Sequence, residues 1–168
     1  SAIDESQVRC FYPEADESMI GAIKTAAKNG DSLGGIIEVL AYGVPVGLGS
    51  HVHWDRKIDG MIGHALMSIQ AIKAVSLGDA ISVSSKHGSE SHDAIYWENN
   101  TYTRHTNHAG GIEGGITNGG IVRAQMFMKP LATLNRPVIE TVDTKTKEKV
   151  VSFKERTDVT AVPAAGVV

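Results

Sequence analysis

The chain has 168 residues, of which 42% are apolar and 21% charged, and a net charge of −3. That length is enough to bury a core, and the composition is ordinary for a globular protein. The lack of a basic block argues against a nucleic-acid surface, no apolar run reaches membrane length, and the lone Cys10 excludes a disulfide framework, a CxxC pair and a thiolate zinc cluster within one chain.

Residues Asp16 to Asn29 predict a helix. Met19, Ile20, Ile23, Ala26 and Ala27 share one face, acidic residues fill the start, and Gly30 follows as a stop. Ile36 to Tyr42 is a short β-branched run bounded by glycines, which predicts a buried strand. Asp59 to Leu77 predicts the longest helix, because Ile58, Ile62, Ala65, Leu66, Ile69, Ile72 and Val75 keep an i, i+3, i+4 rhythm. Apolar nearly all round, this helix is expected between layers, with His64 as a satisfied core histidine. Strands are expected at Ala80 to Ser84, Ile121 to Met128, Val138 to Val142 and about Val150 to Phe153. Helices and strands without regular βαβ alternation read as α+β, with helices covered by sheet in a single domain over residues 1–168. No signal-peptide pattern is present, which fits the cytoplasm. Ser1-Ala2 at one end and Ala164-Ala165-Gly166-Val167-Val168 at the other read as cut ends, so the chain is expected to be a piece of a longer one.

The most informative stretch is Asn107 to Gly120, NHAGGIEGGITNGG, with six glycines in fourteen residues, a carboxylate inside and an Asn-His pair at its mouth. Glycine lets backbone N–H groups approach a ligand and adopts positive φ at little cost. The isoleucines at 112 and 116 distinguish the stretch from a flexible linker, and it matches neither usual nucleotide fingerprint. His105 and His108 flank it and are expected to anchor the loop.

Lys129-Pro130-Leu131-Ala132-Thr133 leaves the strand ending at Met128. It offers one cation and one hydroxyl to an anion, or serves as an ordinary strand exit. Arg156 and Asp158 stand two apart, so an extended backbone points both the same way, as an ion pair or as a cation and proton acceptor beside an anionic ligand. Among the seven histidines, His51 and His53 would share one face of a strand, a plausible pair of metal ligands. No third ligand sits at a recognisable spacing, so no metal is expected, and a metal-dependent hydrolase using these two is the lesser alternative.

Six segments occur in an order that carries a family resemblance: GVPVGLGS at Gly43, HVHWDRKIDG at His51, HALMSIQA at His64, NHAGGIEGG at Asn107, MKPLAT at Met128 and RTDVTAVPAA at Arg156. Together they make the chain resemble chorismate synthase over nearly its whole length, specifically the second half of that family's longer chains. The resemblance implies a helical layer sandwiched between antiparallel β-sheets, here a partial domain. It also implies a lyase that uses reduced FMN to convert 5-enolpyruvylshikimate 3-phosphate to chorismate by anti 1,4-elimination of phosphate, the last step of the shikimate pathway towards the aromatic amino acids. No net redox change accompanies this step, and whether the family member also reduces its flavin with NADPH is left open. A homotetramer is implied, with no nucleic-acid or membrane partner.

Carried over by position, the family's flavin contacts fall on Gln70 and Ala71 of the long helix, on Gly114, on Lys129, Pro130, Leu131, Ala132 and Thr133, and on Arg156. Gln70 stands where some members have Asn, and either amide can bond the flavin edge. Leu131-Ala132 replaces the commoner Ile-Pro or Thr-Ser, which bears only on the backbone. Asp158 matches the acidic residue that assists the flavin in proton handling. The family's two catalytic histidines match none of the histidines here, nor does its serine- and arginine-rich substrate segment have a counterpart. The 168 residues alone are therefore expected to be inactive. A structural or oligomerising core without a ligand remains the other alternative.

Overall fold

The computed structural model describes residues 2–155 and 157–168. In chain order the elements are α1 (Ala2–Glu5), α2 (Pro13–Asn29), β1 (Gly35–Ala41), α3 (Ile58–Met67), β2 (Ile72–Leu77), α4 (Ala80–Val83), β3 (Ile95–Glu98), β4 (Thr101–Arg104), β5 (Ile112–Glu113), β6 (Ile116–Thr117), β7 (Val122–Met128), β8 (Glu140–Val142), β9 (Lys149–Val151) and α5 (Val162–Ala165). They fall into two compact units, one of residues 36–127 and one of residues 1–35 with 128–168. Among the described residues no helix is long and apolar enough to cross a membrane.

In the unit of residues 36–127, a three-stranded sheet has the order β1-β7-β2. The sequence of β7, Val-Arg-Ala-Gln-Met-Phe-Met, alternates apolar and polar residues through Gln125, and its burial alternates with it. Val122, Ala124, Met126 and Met128 point inwards, and Met126 is only 2% exposed. β1 is a strand as expected but not a buried one: Ile36 is 60% exposed, and Val39 and Leu40 are exposed as well. The β3–β4 hairpin pairs Trp97 with Tyr102 across a two-residue turn, Asn99-Asn100, in which both residues have positive φ.

The helix expected from Asp59 to Leu77 stops at Met67, and its second half is the strand β2. Ser68 Oγ donates back to Ala65 O at 2.6 Å, and Ala71 takes φ 66°, which breaks the helical path before the β-branched Ile72. Two interior glycines, Gly60 and Gly63, further weaken the helix by about 1 kcal/mol each relative to alanine. α3 packs on β2 by one face, yet none of its described residues is buried, against the expectation of a helix enclosed on all sides. The run at Ala80 to Ser84 forms the short helix α4 rather than a strand.

In the other unit, α2 begins with Pro13 in its first turn and ends at Gly30, whose φ is 73°. Gly30 N donates to Ala27 O at 3.1 Å and Asp31 N to Ala26 O at 3.0 Å, a Schellman-type stop. A Cβ at Gly30 would lie 2.7 Å from that of Arg136, whose N donates to Gly30 O. β8 and β9 pair antiparallel, and Asp143 Oδ1 caps their turn by accepting from Lys145 N and Thr146 N. The mixed α and β architecture with antiparallel sheets agrees with the fold read from the sequence.

Candidate functional site

The glycine-rich stretch folds as a miniature hairpin. Ile112 pairs with Thr117 and Glu113 with Ile116, and the turn residues Gly114 and Gly115 have φ of 61° and 89°. Thr117, 1% exposed, donates from Oγ1 to Pro45 O and accepts from Leu48 N, which fastens the preceding loop to β6. At the base, Asn107 Oδ1 accepts from Gly111 N at 2.8 Å, and Asn107 Nδ2 donates to Ile121 O at 2.8 Å.

Two carboxylates hold this base. Asp93, buried, accepts from Thr106 Oγ1 at 2.6 Å, His108 N at 2.8 Å and Ala109 N at 2.9 Å. Burial pushes its pKa up, but the three donors outweigh burial and leave the carboxyl below its ordinary value. Asp79, just after β2, receives the His108 ring at 2.7 Å and the Arg123 guanidinium. Those two hydrogen bonds, that of His108 first, hold the Asp79 carboxyl below its ordinary value. An ionised carboxylate only accepts, so His108 carries its proton on Nδ1. His105 stacks on Tyr96 with ring centroids 4.1 Å apart and bonds Glu98 at 3.0 Å. His108 thus anchors the glycine-rich loop, as the sequence led one to expect, whereas the contacts of His105 fall on β3, within the β3–β4 hairpin. Asp79, Asp93 and Arg123 escaped the sequence reading, because no local spacing ties them to residues 107–111.

The glycines divide by role. A Cβ on Gly110 would overlap the backbone of Gly78, one on Gly111 would lie 2.6 Å from Ile121 O, and one on Gly115 would lie 2.7 Å from Lys57 Cγ. Their close approaches are to the protein itself. Gly114 is different: it is exposed, and no heavy atom lies within 4 Å of where its Cβ would stand.

Gln70 and Ala71 lie in the turn between α3 and β2, not on a helix. Gln70 is exposed, and the positive φ of Ala71 costs about 1–2 kcal/mol for a residue with a Cβ. Such local strain is characteristic of places where backbone must be aimed. Gln70, Ala71 and Gly114 all belong to the unit of residues 36–127.

In the other unit, two neighbouring residues grip both remaining segments. Ser32 Oγ donates to Leu131 O at 2.6 Å, and Leu33 N donates to Val159 O at 2.7 Å. The Lys129–Thr133 exit and the stretch bearing Asp158 are thereby fastened to the same strand entry. Lys129, Pro130 and Ala132 are exposed, and Leu131 and Thr133 half-buried. Asp158 is exposed, and among the described residues neither its carboxylate nor the Lys129 ammonium has a partner. Arg156 lies outside the described residues.

His51 and His53 stand in an exposed loop rather than on a strand, so they do not share the strand face expected of them. No group of three or more metal-ligating side chains occurs among the described residues. His64 is exposed, not a core residue, and lines an open cavity of about 450 Å³ with Trp54, Asp55, Gly60 and Met61.

The chorismate synthase family model matches residues 1–168. The chorismate synthase of Alkaliphilus metalliredigens (strain QYMF) is 51% identical over 166 residues, covering 98% of this chain and 43% of the relative. That of Tropheryma whipplei (strain TW08/27) is 49% identical over 167 residues, covering 99% of this chain and 42% of the relative. A crystal structure of chorismate synthase superposes with a TM-score of 0.78 at 41% identity, over 99% of this chain and 42% of that one. The chain therefore spans about 42% of the length of the relatives it matches. A match over every residue, near-half identity to named relatives and a shared fold leave one assignment: the chain belongs to the chorismate synthase family.

Proposed function

We propose that this chain carries part of the reduced-FMN site of a chorismate synthase. The whole enzyme then performs the anti 1,4-elimination of phosphate from 5-enolpyruvylshikimate 3-phosphate. The observation that carries this reading is Gly114, a left-handed hairpin tip left open while the glycines at 110, 111 and 115 are packed against protein. A planar ring system can approach that backbone where a side chain would stand in the way.

Taken unit by unit, the chemistry of the residues suits a flavin phosphate and ring. Lys129 supplies a cation without a described partner, and Thr133 a hydroxyl. Gln70 offers an amide to the ring edge, and the positive φ of Ala71 aims the adjoining peptide. Pro130 fixes the backbone at the exit, Leu131 and Ala132 carry it onward, and Arg156 adds a second cation. When bound, the reduced flavin supplies electron density to the substrate as phosphate departs. Asp158 is the carboxylate that accepts or relays a proton in this reaction, and it is exposed and free of any described partner. The complete enzyme is taken to be a cytoplasmic homotetramer. The exposed apolar run of β1 favours the alternative that this stretch serves assembly alone, which predicts no flavin uptake.

Titration of FMN fluorescence by this chain, beside a full-length chorismate synthase, tests the reading. Saturable quenching that weakens in Gly114→Ala and in Lys129→Ala is the expected result. Equal affinity in both variants would remove these residues from the flavin site.

A further inference from the structure

We propose that Asp93 and Asp79 are positioning residues of the flavin site, acting through the hairpin base to set the place of Gly114. The proposal rests on the reading of Gly114 as a flavin contact. The β5–β6 turn is two residues long and each of its strands has two, so the hairpin has little structure of its own to hold the tip. Its placement comes from below. Asp93 gathers three donors from the consecutive stretch Thr106 to Ala109, and Asp79 ties the His108 ring to Arg123 at the start of β7.

Backbone bonds reinforce the same connection. Asp79 N donates to His108 O at 2.8 Å, Gly78 N to Arg123 O at 2.9 Å, and Arg123 N to Gly110 O at 3.2 Å. The end of β2, the start of β7 and the hairpin base are thus joined in one hydrogen-bonded cluster. Glu113, beside Gly114, is held in turn by Arg104 at 2.9 Å and Asn118 at 2.8 Å. The two carboxylates are the members of the base whose loss leaves several donors unanswered at once, including the amides of His108 and Ala109. With those donors released, the base turns towards water and the tip loses its fixed height. Ligand contacts are sensitive to displacements of that size.

The test compares Asp93→Ala, Asp93→Asn and Asp79→Asn with the unaltered chain, and takes Asp143→Asn as a control. Asp143 caps the β8–β9 turn through two amides, outside this cluster. FMN affinity, the visible spectrum of the bound flavin and amide exchange at Gly110 to Gly115 are measured where urea titration shows each variant fully folded. Asp93→Ala should weaken FMN about tenfold, alter the flavin band and speed exchange in the hairpin. Asp93→Asn, which keeps one acceptor, should recover part of the loss, and Asp143→Asn should match the unaltered chain. Should Asp93→Ala not fold, Asp79→Asn carries the same three readouts. Unchanged affinity and flavin band in folded variants would overturn the positioning role while leaving the flavin site standing. If the unaltered chain takes up no FMN, both readings fall.

Discussion

Gly110 and Gly114 share a left-handed φ, 64° and 61°, yet substitution should treat them differently. Gly110→Ala adds the cost of positive φ, about 1–2 kcal/mol, to an overlap with the Gly78 backbone that cannot give way. Urea unfolding should therefore show a loss beyond about 2 kcal/mol. Gly114→Ala meets no atom, so only the φ term of about 1 kcal/mol remains, and flavin affinity should fall out of proportion to stability. In a full-length enzyme, Asp158→Asn should depress turnover far more than flavin affinity. Equal losses in both would make Asp158 a structural residue. The two base carboxylates also fix an acid response. Both have folded pKa values below the ordinary 3.8, Asp79 through His108 and Arg123, and Asp93 through Thr106 and two amides that outweigh its burial. Their contribution to stability is complete above that ordinary value and is lost as pH falls through the lowered folded values. Acid titration followed by hairpin amide protection should show Asp79→Asn losing part of that transition.

Among the elements, those with punctuation were readable. Acidic residues, an amphipathic run and Gly30 mark α2, and alternation marks β7. The break inside the run from Asp59 to Leu77 was not, because the short apolar segment Ile72 to Leu77 supports either period. The decision between helix and strand fell to Ala71 and to pairing with β7, and neither leaves a local trace. The β3–β4 hairpin carries a local signal of its own: Ile-Tyr-Trp-Glu and Thr-Tyr-Thr-Arg flank Asn99-Asn100. Both asparagines adopt positive φ, 50° and 59°, so Asn100→Gly should relieve strain and raise the thermal midpoint by a few degrees. Of the proposed site, the glycine-rich turn and the Lys129 to Thr133 exit could be singled out as candidates because both are local features, while Gly114 itself was singled out only by the family resemblance. Asp93 and Asp79 could not, since they reach His108 across 15 and 29 residues.

At the level of the whole chain, large apolar side chains such as Trp54, 85% exposed, and Phe153, 89% exposed, meet solvent. The isolated chain should therefore bind a hydrophobic dye or self-associate in a concentration-dependent way, as light scattering would register. It should make no detectable chorismate with reduced FMN and substrate. By the family resemblance, neither catalytic histidine has a counterpart here, and each acid–base group is worth about 10²–10⁴-fold. Connectivity has a consequence of another kind, for the order in which the chain acquires structure. Residues 36–127 are contiguous, and their two ends run into the neighbouring strands β1 and β7. The other unit needs residues 1–35 to meet residues 128–168, with the whole of the first unit lying between them along the chain. During synthesis the inner segment can condense as soon as β7 has emerged, whereas α2 must wait for Arg136 to close over Gly30. Prior folding of the inner segment brings β1 and β7 together, and so shortens the loop that the late closure must span. Pulse-labelled refolding should protect amides of β7 and β2 before those of Leu33 and Arg136, and the reverse order would show that the outer pieces find each other unaided.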